Sequence, residues 1–144
     1  MPDILLDLPI RAPIEQVFEA VSTPRGLNRW WTKTAAGEPV PGTTFQLGFG
    51  LRFEWRARVT RCVPRTTFEL EVYSADDDWR KTRVAFHLKP RGLDVVWLRF
   101  EHTGWPQANE HYRTSCNCWA LYLRILRRTL ELGEIVPYER RLDA

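Results

Sequence analysis

The sequence predicts an α+β fold: a curved antiparallel sheet of six strands wrapped around one long C-terminal helix, with two short helices after the first strand. Three observations lead there. Trp119, Leu123, Leu126 and Leu130 recur at steps of four, three and four residues, which puts them on one stripe of a helix and leaves Arg124, Arg127 and Arg128 on its other faces. From Thr43 to His102 the apolar period is two rather than 3.6, so most of the preceding chain reads as strand. Prolines at 13 and 24 each stand at the opening turn of a short apolar segment, where a helix tolerates them best. A sheet gripping a single helix often leaves a cavity between the two layers, and that cavity is where function is expected.

Taken in order, Ile4 to Arg11 alternates loosely and forms a first strand at one sheet edge. Val17, Phe18, Ala20 and Val21 give the helix after Pro13 its apolar side, and Ser22-Thr23-Pro24 ends it. A second short helix runs from Pro24 through Leu27 to Trp30 or Trp31, and Gly37, Pro39, Pro41 and Gly42 mark a loop. Five strands follow: Phe45, Leu47 and Phe49; Phe53, Trp55, Ala57 and Val59; Phe68, Leu70 and Val72; Val84, Phe86 and Leu88; Val96, Leu98, Phe100 and His102. The connections are short, so the strands form an antiparallel meander. Thr103-Gly104-Trp105-Pro106 ends the sheet, Gly133 caps the closing helix, and the chain from Glu134 is a short extension.

With 144 residues the chain fits one domain spanning 1–144, a size that buries roughly 68–70% of its unfolded surface. Its 21 basic and 18 acidic residues are mixed rather than clustered, which argues against a nucleic-acid partner. Met1-Pro2-Asp3 leads into no apolar leader, and no apolar run approaches the roughly 18 residues of a membrane span. A cytoplasmic location is expected. Cys62, Cys116 and Cys118 are odd in number, and the last two diverge by about 200° on one helix, so no disulfide framework is expected.

Ala12-Pro13, Val17-Phe18, Ala20-Val21, Thr23-Pro24 and Trp30-Trp31 together resemble the opening signature of the START-like (SRPBCC, Bet v 1-like) superfamily, in the branch named after the activator of the heat-shock protein 90 ATPase. His102-Thr103-Gly104-Trp105-Pro106 is similar to the His-Ser-Gly-Phe-Pro turn of that branch, and Trp119, Leu123, Leu126, Leu130, Glu131 and Gly133 fit its closing helix. The resemblance runs from about residue 4 to 133 and implies a helix-grip fold. It is specific for fold and much less so for activity, because the superfamily includes carriers of apolar ligands, polyketide cyclases and chaperone cofactors. Cys118 stands where a small glycine is usual, and residues 113–117 are unusually polar.

The strand alternation places Phe45, Phe53, Trp55, Phe68, Leu70, Phe86 and Phe100 on the concave face, opposite Trp119 and Leu123 of the helix and near Trp31. These residues form the expected walls of a site for a small hydrophobic or aromatic molecule. The same side chains suit a filled core, so both readings stand. His102 and Tyr112 are the expected polar contacts. His102 is placed to orient a polar ligand atom or to act as an acid/base, and a hydrogen-bonded structural histidine is the competing reading.

Cys116-Asn117-Cys118 lacks the two further converging ligands that a zinc site requires, so no metal or cofactor is expected. Arg56, Arg58, Arg83 and Arg99 alternate outward with Glu54, Glu69, Glu71 and Glu101, a pattern for a salt-bridged convex face. Trp97 on that face, with Ile135, Val136 and Tyr138 in the tail, is a candidate homodimer contact. No nucleophile elbow, phosphate loop or paired-carboxylate signature occurs, and Asp76, Asp77 and Asp78 read as loop residues. Ligand binding is therefore the leading expectation. A cyclase, dehydratase or hydrolase using the same cavity is the enzyme alternative, and an interaction or co-chaperone-like module is the third class. Full eukaryotic activators, as the resemblance implies, carry an additional N-terminal domain for which this sequence has no room.

Overall fold

The computed structural model describes residues 2–50 and 54–143. Strand β1 (Ile4–Ile10) is followed by helices α1 (Ile14–Ser22) and α2 (Pro24–Leu27). Strands β2 (Thr34–Ala36), β3 (Thr44–Gly48), β4 (Glu54–Val63), β5 (Thr67–Ser74), β6 (Arg83–Pro90) and β7 (Val96–Thr103) come next, and helix α3 (Glu110–Leu132) and a 3₁₀ segment (Tyr138–Asp143) close the chain. The strands form one antiparallel sheet in the order β1-β7-β6-β5-β4-β3-β2. This is the helix-grip arrangement, with β1 at one edge as expected.

The sheet has seven strands rather than six. The additional one, β2, is only three residues long and pairs with β3 through Thr34↔Gly48 and Ala36↔Gln46. Thr-Ala-Ala is too short to display a period of two, and the glycines and prolines after it suggest only a loop. Strand β4 runs to Val63, as far as the expected turn at Pro64-Arg65. A register shift between Val59 and Arg61 breaks the alternation there, and Thr60 turns its hydroxyl to the Glu69 carboxylate at 2.7 Å. Such an irregularity bends a strand and helps the sheet to curl.

The helices begin and end where side chains satisfy their backbones. Thr23 serves both α1 and α2: its hydroxyl donates to Glu19 O at 2.9 Å and accepts from Gly26 N at 3.0 Å. Asn109 caps α3 by accepting from Tyr112 N at 2.9 Å, and Gly133 terminates it in the left-handed region at φ 69°. α2 itself stops at Leu27, and Trp30 and Trp31 lie in the turns that follow it. The Trp30 indole donates to Ala20 O at 2.9 Å, so those turns remain bound to α1.

The core fills the concave face. Phe68 pairs with Phe86 and Phe86 with Phe100 across β5, β6 and β7, forming a row of side chains with no solvent exposure. Phe45 packs against Phe68 with ring centroids 5.6 Å apart, and Trp119 of α3 lies 4.4 Å above Phe100. Leu123, Ile125 and Leu126 extend the buried side of α3. On the convex face Arg83 pairs with Glu71 at 3.4 Å and Arg99 with Asp7 at 3.7 Å, the salt-bridged surface expected from the alternation. Among the described residues no helix is long and apolar enough to cross a membrane.

The crossing of α2 over α1 depends on Gly26, where an added Cβ would fall 2.6 Å from Ala20 Cα, a backbone atom that cannot turn away. Gly26→Ala is expected to destabilise the protein by about 1–3 kcal/mol through this overpacking. Urea unfolding measures it, and an unchanged midpoint would mean that the helices have room to separate.

Candidate functional site

Beneath α3 the described side chains form a buried cluster of aromatic and aliphatic groups, and an open cleft lies at its rim. A cleft of about 370 Å³ opens between the N-terminal half of α3, the turn after α2, the β5–β6 loop and the C-terminal 3₁₀ segment. Six aromatic side chains line it: Trp31, Phe49, Trp55, Trp79, Tyr122 and Tyr138. Its polar groups are Asp76, His111, Thr114, Ser115 and the Cys118 thiol.

Local structure holds each ring. Trp79 sits in the β5–β6 loop, where Asp76 Oδ1 accepts from Trp79 N at 2.8 Å and from Asp78 N at 3.1 Å. That turn lays the indole nearly parallel to Trp119, at 24° and 6.0 Å. Trp55 follows at 4.8 Å from Trp79, Phe49 at 5.3 Å from Trp55, and Trp31 at 5.6 Å from Phe49. The tail supplies the last ring. Arg141, only 5% exposed, donates to the carbonyls of Asn28, Thr32 and Val136, and Tyr138 donates its hydroxyl to Phe49 O at 3.1 Å. The residues after Glu134 are thus a strap over one end of the cleft, not a simple extension.

Behind the Trp79 wall, His102 is fully buried and its two nitrogens are engaged. An indole nitrogen only donates, so Trp119 Nε1–H gives its proton to His102 Nδ1 at 3.0 Å. The imidazole proton therefore resides on Nε2 and is donated to Thr82 Oγ1 at 2.9 Å, and that hydroxyl donates to Trp79 O. The relay is complete only with a neutral ring. Burial, reinforced by the charge of His111, lowers the His102 pKa to about 3.

The cleft's own hydroxyls and thiol are held neutral as well. Burial, with smaller contributions from Tyr138 and Cys118, pushes the Tyr122 phenol up to about 12, and burial raises the Cys118 thiol. The fixed charge is carboxylate. His111 Nδ1 lies 3.0 Å from Asp78 Oδ2 and 3.8 Å from Asp76 Oδ2. These three groups have donor atoms within 4.8 Å of one another, a spacing compatible with a metal ion. They already have partners, because Asn109 Nδ2 holds Asp78 Oδ1 at 3.2 Å and two amides hold Asp76 Oδ1. Together they clasp the β5–β6 loop to the start of α3.

Of the wall residues expected from the sequence, Trp31 and Trp55 line the cleft. Phe45, Phe68, Leu70, Phe86, Phe100 and Leu123 lie in the core, with Trp119 between core and cleft. Phe53 falls outside the described residues. His102 is enclosed behind Trp79, and the Tyr112 hydroxyl donates to Asp3 O at 2.7 Å. Sequence reasoning missed Trp79, Asp76, Tyr122 and Tyr138 as cleft residues. A tryptophan directly after three aspartates was the available signal for Trp79. Tyr122 follows Trp119 by three residues and Cys118 by four, so the shared helix face was also readable.

The family model described as Activator of Hsp90 ATPase homolog 1-like protein matches residues 11–131. The chain belongs to that family. Among solved structures it is similar to an Aha1 dimer from Colwellia psychrerythraea, with 27% identity and TM-score 0.84, over 93% of this chain and 99% of that one. It is similar to protein BH1534 from Bacillus halodurans at 25% identity and TM-score 0.75, over 91% of this chain and 98% of that one. The fold is also that of protein MLL2253 from Mesorhizobium loti, at 19% identity and TM-score 0.79, over 93% and 100% of the two chains. No curated protein matches the sequence. Within this Aha1-like family member the cleft combines the helix-grip frame with an aromatic rim contributed largely by loop, turn and tail.

The neutral His102 makes stability depend on pH. An unfolded imidazole titrates near 6.5, so above that pH neither state binds the proton and the contribution is complete. As pH falls from about 6.5 toward 3 the unfolded chain gains a proton that the folded chain refuses, and stability drops by about 1.4 kcal/mol per pH unit from this group. Urea unfolding between pH 7 and pH 4.5 should show this slope in the parent and a slope one proton smaller in His102→Gln. Equal slopes would mean that His102 is protonated in the folded protein.

Proposed function

We propose that this Aha1-like protein binds a small apolar molecule with an aromatic or similarly flat body, and that the site is the rim cleft between α3 and the sheet. The observation that carries this reading is the cleft itself, about 370 Å³ with six aromatic rings and a few convergent polar groups. Ligand sites are commonly of that size and character. Trp31 and Trp55 form walls, with Phe49, Trp79, Tyr122 and Tyr138 completing them, and Ser115, Thr114 and the neutral Cys118 offer hydrogen-bonding atoms. The filled row of Phe68, Phe86 and Phe100 supports a rim location, because close-packed rings leave little space beneath the helix.

A neutral fluorescent probe, N-phenyl-1-naphthylamine, tests the reading. The parent protein is expected to bind it with enhanced emission, Cys118→Trp to weaken binding by about tenfold or more by filling the cleft, and Trp55→Ala to favour a bulkier probe. Circular dichroism confirms that each variant folds. Absence of binding to the parent, or equal binding to parent and both variants, would remove the cleft from consideration.

A second reading, a homodimer, rests on two observations. The Colwellia psychrerythraea relative is described as a dimer, and Trp97 on the convex face is only partly buried beneath the Arg91 guanidinium, 4.2 Å from its ring centroid. Exposed large apolar groups of this kind are often covered by a partner. Sedimentation at high micromolar concentration should show dimers that Trp97→Asp dissociates. Monomers alone in the parent would overturn it.

A further inference from the structure

We propose that the cleft selects an organic cation, a ligand whose flat apolar body lies along the aromatic rings and whose ammonium-type group rests beside Asp76 and the rings of Trp79 and Trp55 that border the cleft. This rests on the cleft being the ligand site and goes further by assigning the charge of the ligand and the end at which it binds.

The Asp76 carboxylate is both fixed and available. Two backbone amides, those of Asp78 and Trp79, donate to Oδ1 and hold the group in place. Oδ2 is 3.8 Å from His111 Nδ1, beyond hydrogen-bond distance, because that imidazole is bound to Asp78 at 3.0 Å. Oδ2 therefore carries only a long ion pair with His111, a residue that lines the same cleft, and keeps room for a ligand at the cleft's edge. A hydrocarbon gains nothing from such an oxygen and must strip water from it, whereas an anion is repelled. A cation is attracted.

The rings reinforce that choice. Successive planes are inclined by 53° between Trp79 and Trp55, 63° between Trp55 and Phe49, and 55° between Phe49 and Trp31. Rings inclined in this way do not close into a flat stack, and all four border the cleft. Aromatic faces carry the negative part of the ring quadrupole, and tryptophan is the strongest such partner for a cation. The opposite end already shows the same chemistry: Lys33 Nζ lies 5.9 Å and the Arg141 guanidinium 5.5 Å from the Tyr138 ring centroid. Glu139 lies 3.9 Å from Lys33 Nζ and offsets one of these two charges, so the Tyr138 end keeps one cation in excess, which favours the head group of a ligand at Asp76 and its body toward Phe49 and Tyr138.

Phenyltrimethylammonium and its neutral isostere tert-butylbenzene separate charge from shape. Each is used to displace N-phenyl-1-naphthylamine from the protein at pH 8. The cation is expected to bind about tenfold tighter than the isostere, and added salt to weaken the cation alone. Asp76→Asn retains an oxygen that can accept the two amides, and it is expected to remove most of the cation preference, read as the ratio of the two affinities within the variant. Equal affinities for the two compounds in the parent would overturn the inference even if Asp76→Asn failed to fold. A preference that survives Asp76→Asn would overturn the role of the carboxylate. If the neutral probe binds and no cation preference exists, only this inference fails. If no probe binds, the cleft reading beneath it fails too.

Discussion

One hydrogen bond, from the Trp119 indole to His102 Nδ1, determines how the helix lies on the sheet. It joins α3 to the end of β7, and it is directional, so it specifies the rotation of the helix as well as its contact. Apolar packing alone is tolerant of small slides, whereas a buried donor without its acceptor costs about 1–3 kcal/mol. Once Trp119 is oriented in this way, its ring covers Phe100 on one side and supports Trp79 on the other. The remaining bonds, to Thr82 and then to Trp79 O, tie the same histidine to the loop that forms one wall of the cleft. Helix register, histidine protonation and cleft shape are thus consequences of one contact.

The position of the cleft follows from what fills the interior. Three phenylalanines in register across β5, β6 and β7, with Phe45 beside them, take up the space that the curvature of the sheet creates. At the cleft, Trp55 and Tyr122 stand on β4 and α3, while four of the six rings come from irregular segments, Trp31 from a turn, Phe49 and Trp79 from loops and Tyr138 from the tail. Side chains on such segments are positioned by specific anchors rather than by a repeating lattice. Asp76 anchors Trp79, and Arg141 anchors Tyr138.

This division explains what the sequence discloses. Regular elements announce themselves through period, so Phe45, Phe68, Leu70, Phe86 and Phe100 on the strands and the helix stripe at Trp119, Leu123 and Leu126 are readable and lie where the periods put them. The end of the second helix is less legible, because a tight turn after Leu27 replaces the helix, and the register shift near Thr60 leaves no mark in the apolar pattern. β2 has no period to read. Whether an aromatic lines a cavity or fills it is a question of volume and not of pattern, which is why the concave-face residues are core while the open space is bordered by Trp79 and Tyr138. Arg141 illustrates the limit most clearly: an arginine among charged residues near the end of the chain reads as solvated, yet three backbone carbonyls with unused lone pairs bury it.

Six of the seven tryptophans form an unbroken chain. Trp30 lies 6.1 Å from Trp31, Trp31 4.9 Å from Trp119, Trp119 6.0 Å from Trp79, and Trp79 4.8 Å from Trp55 and 6.0 Å from Trp105. Indoles at these separations exchange electronic excitation faster than they emit. Excitation can therefore pass stepwise among these six indoles, and light absorbed at Trp30 can be lost through a quencher resting on Trp55. Trp97, on the convex face under Arg91, makes no ring contact with that chain among the described residues.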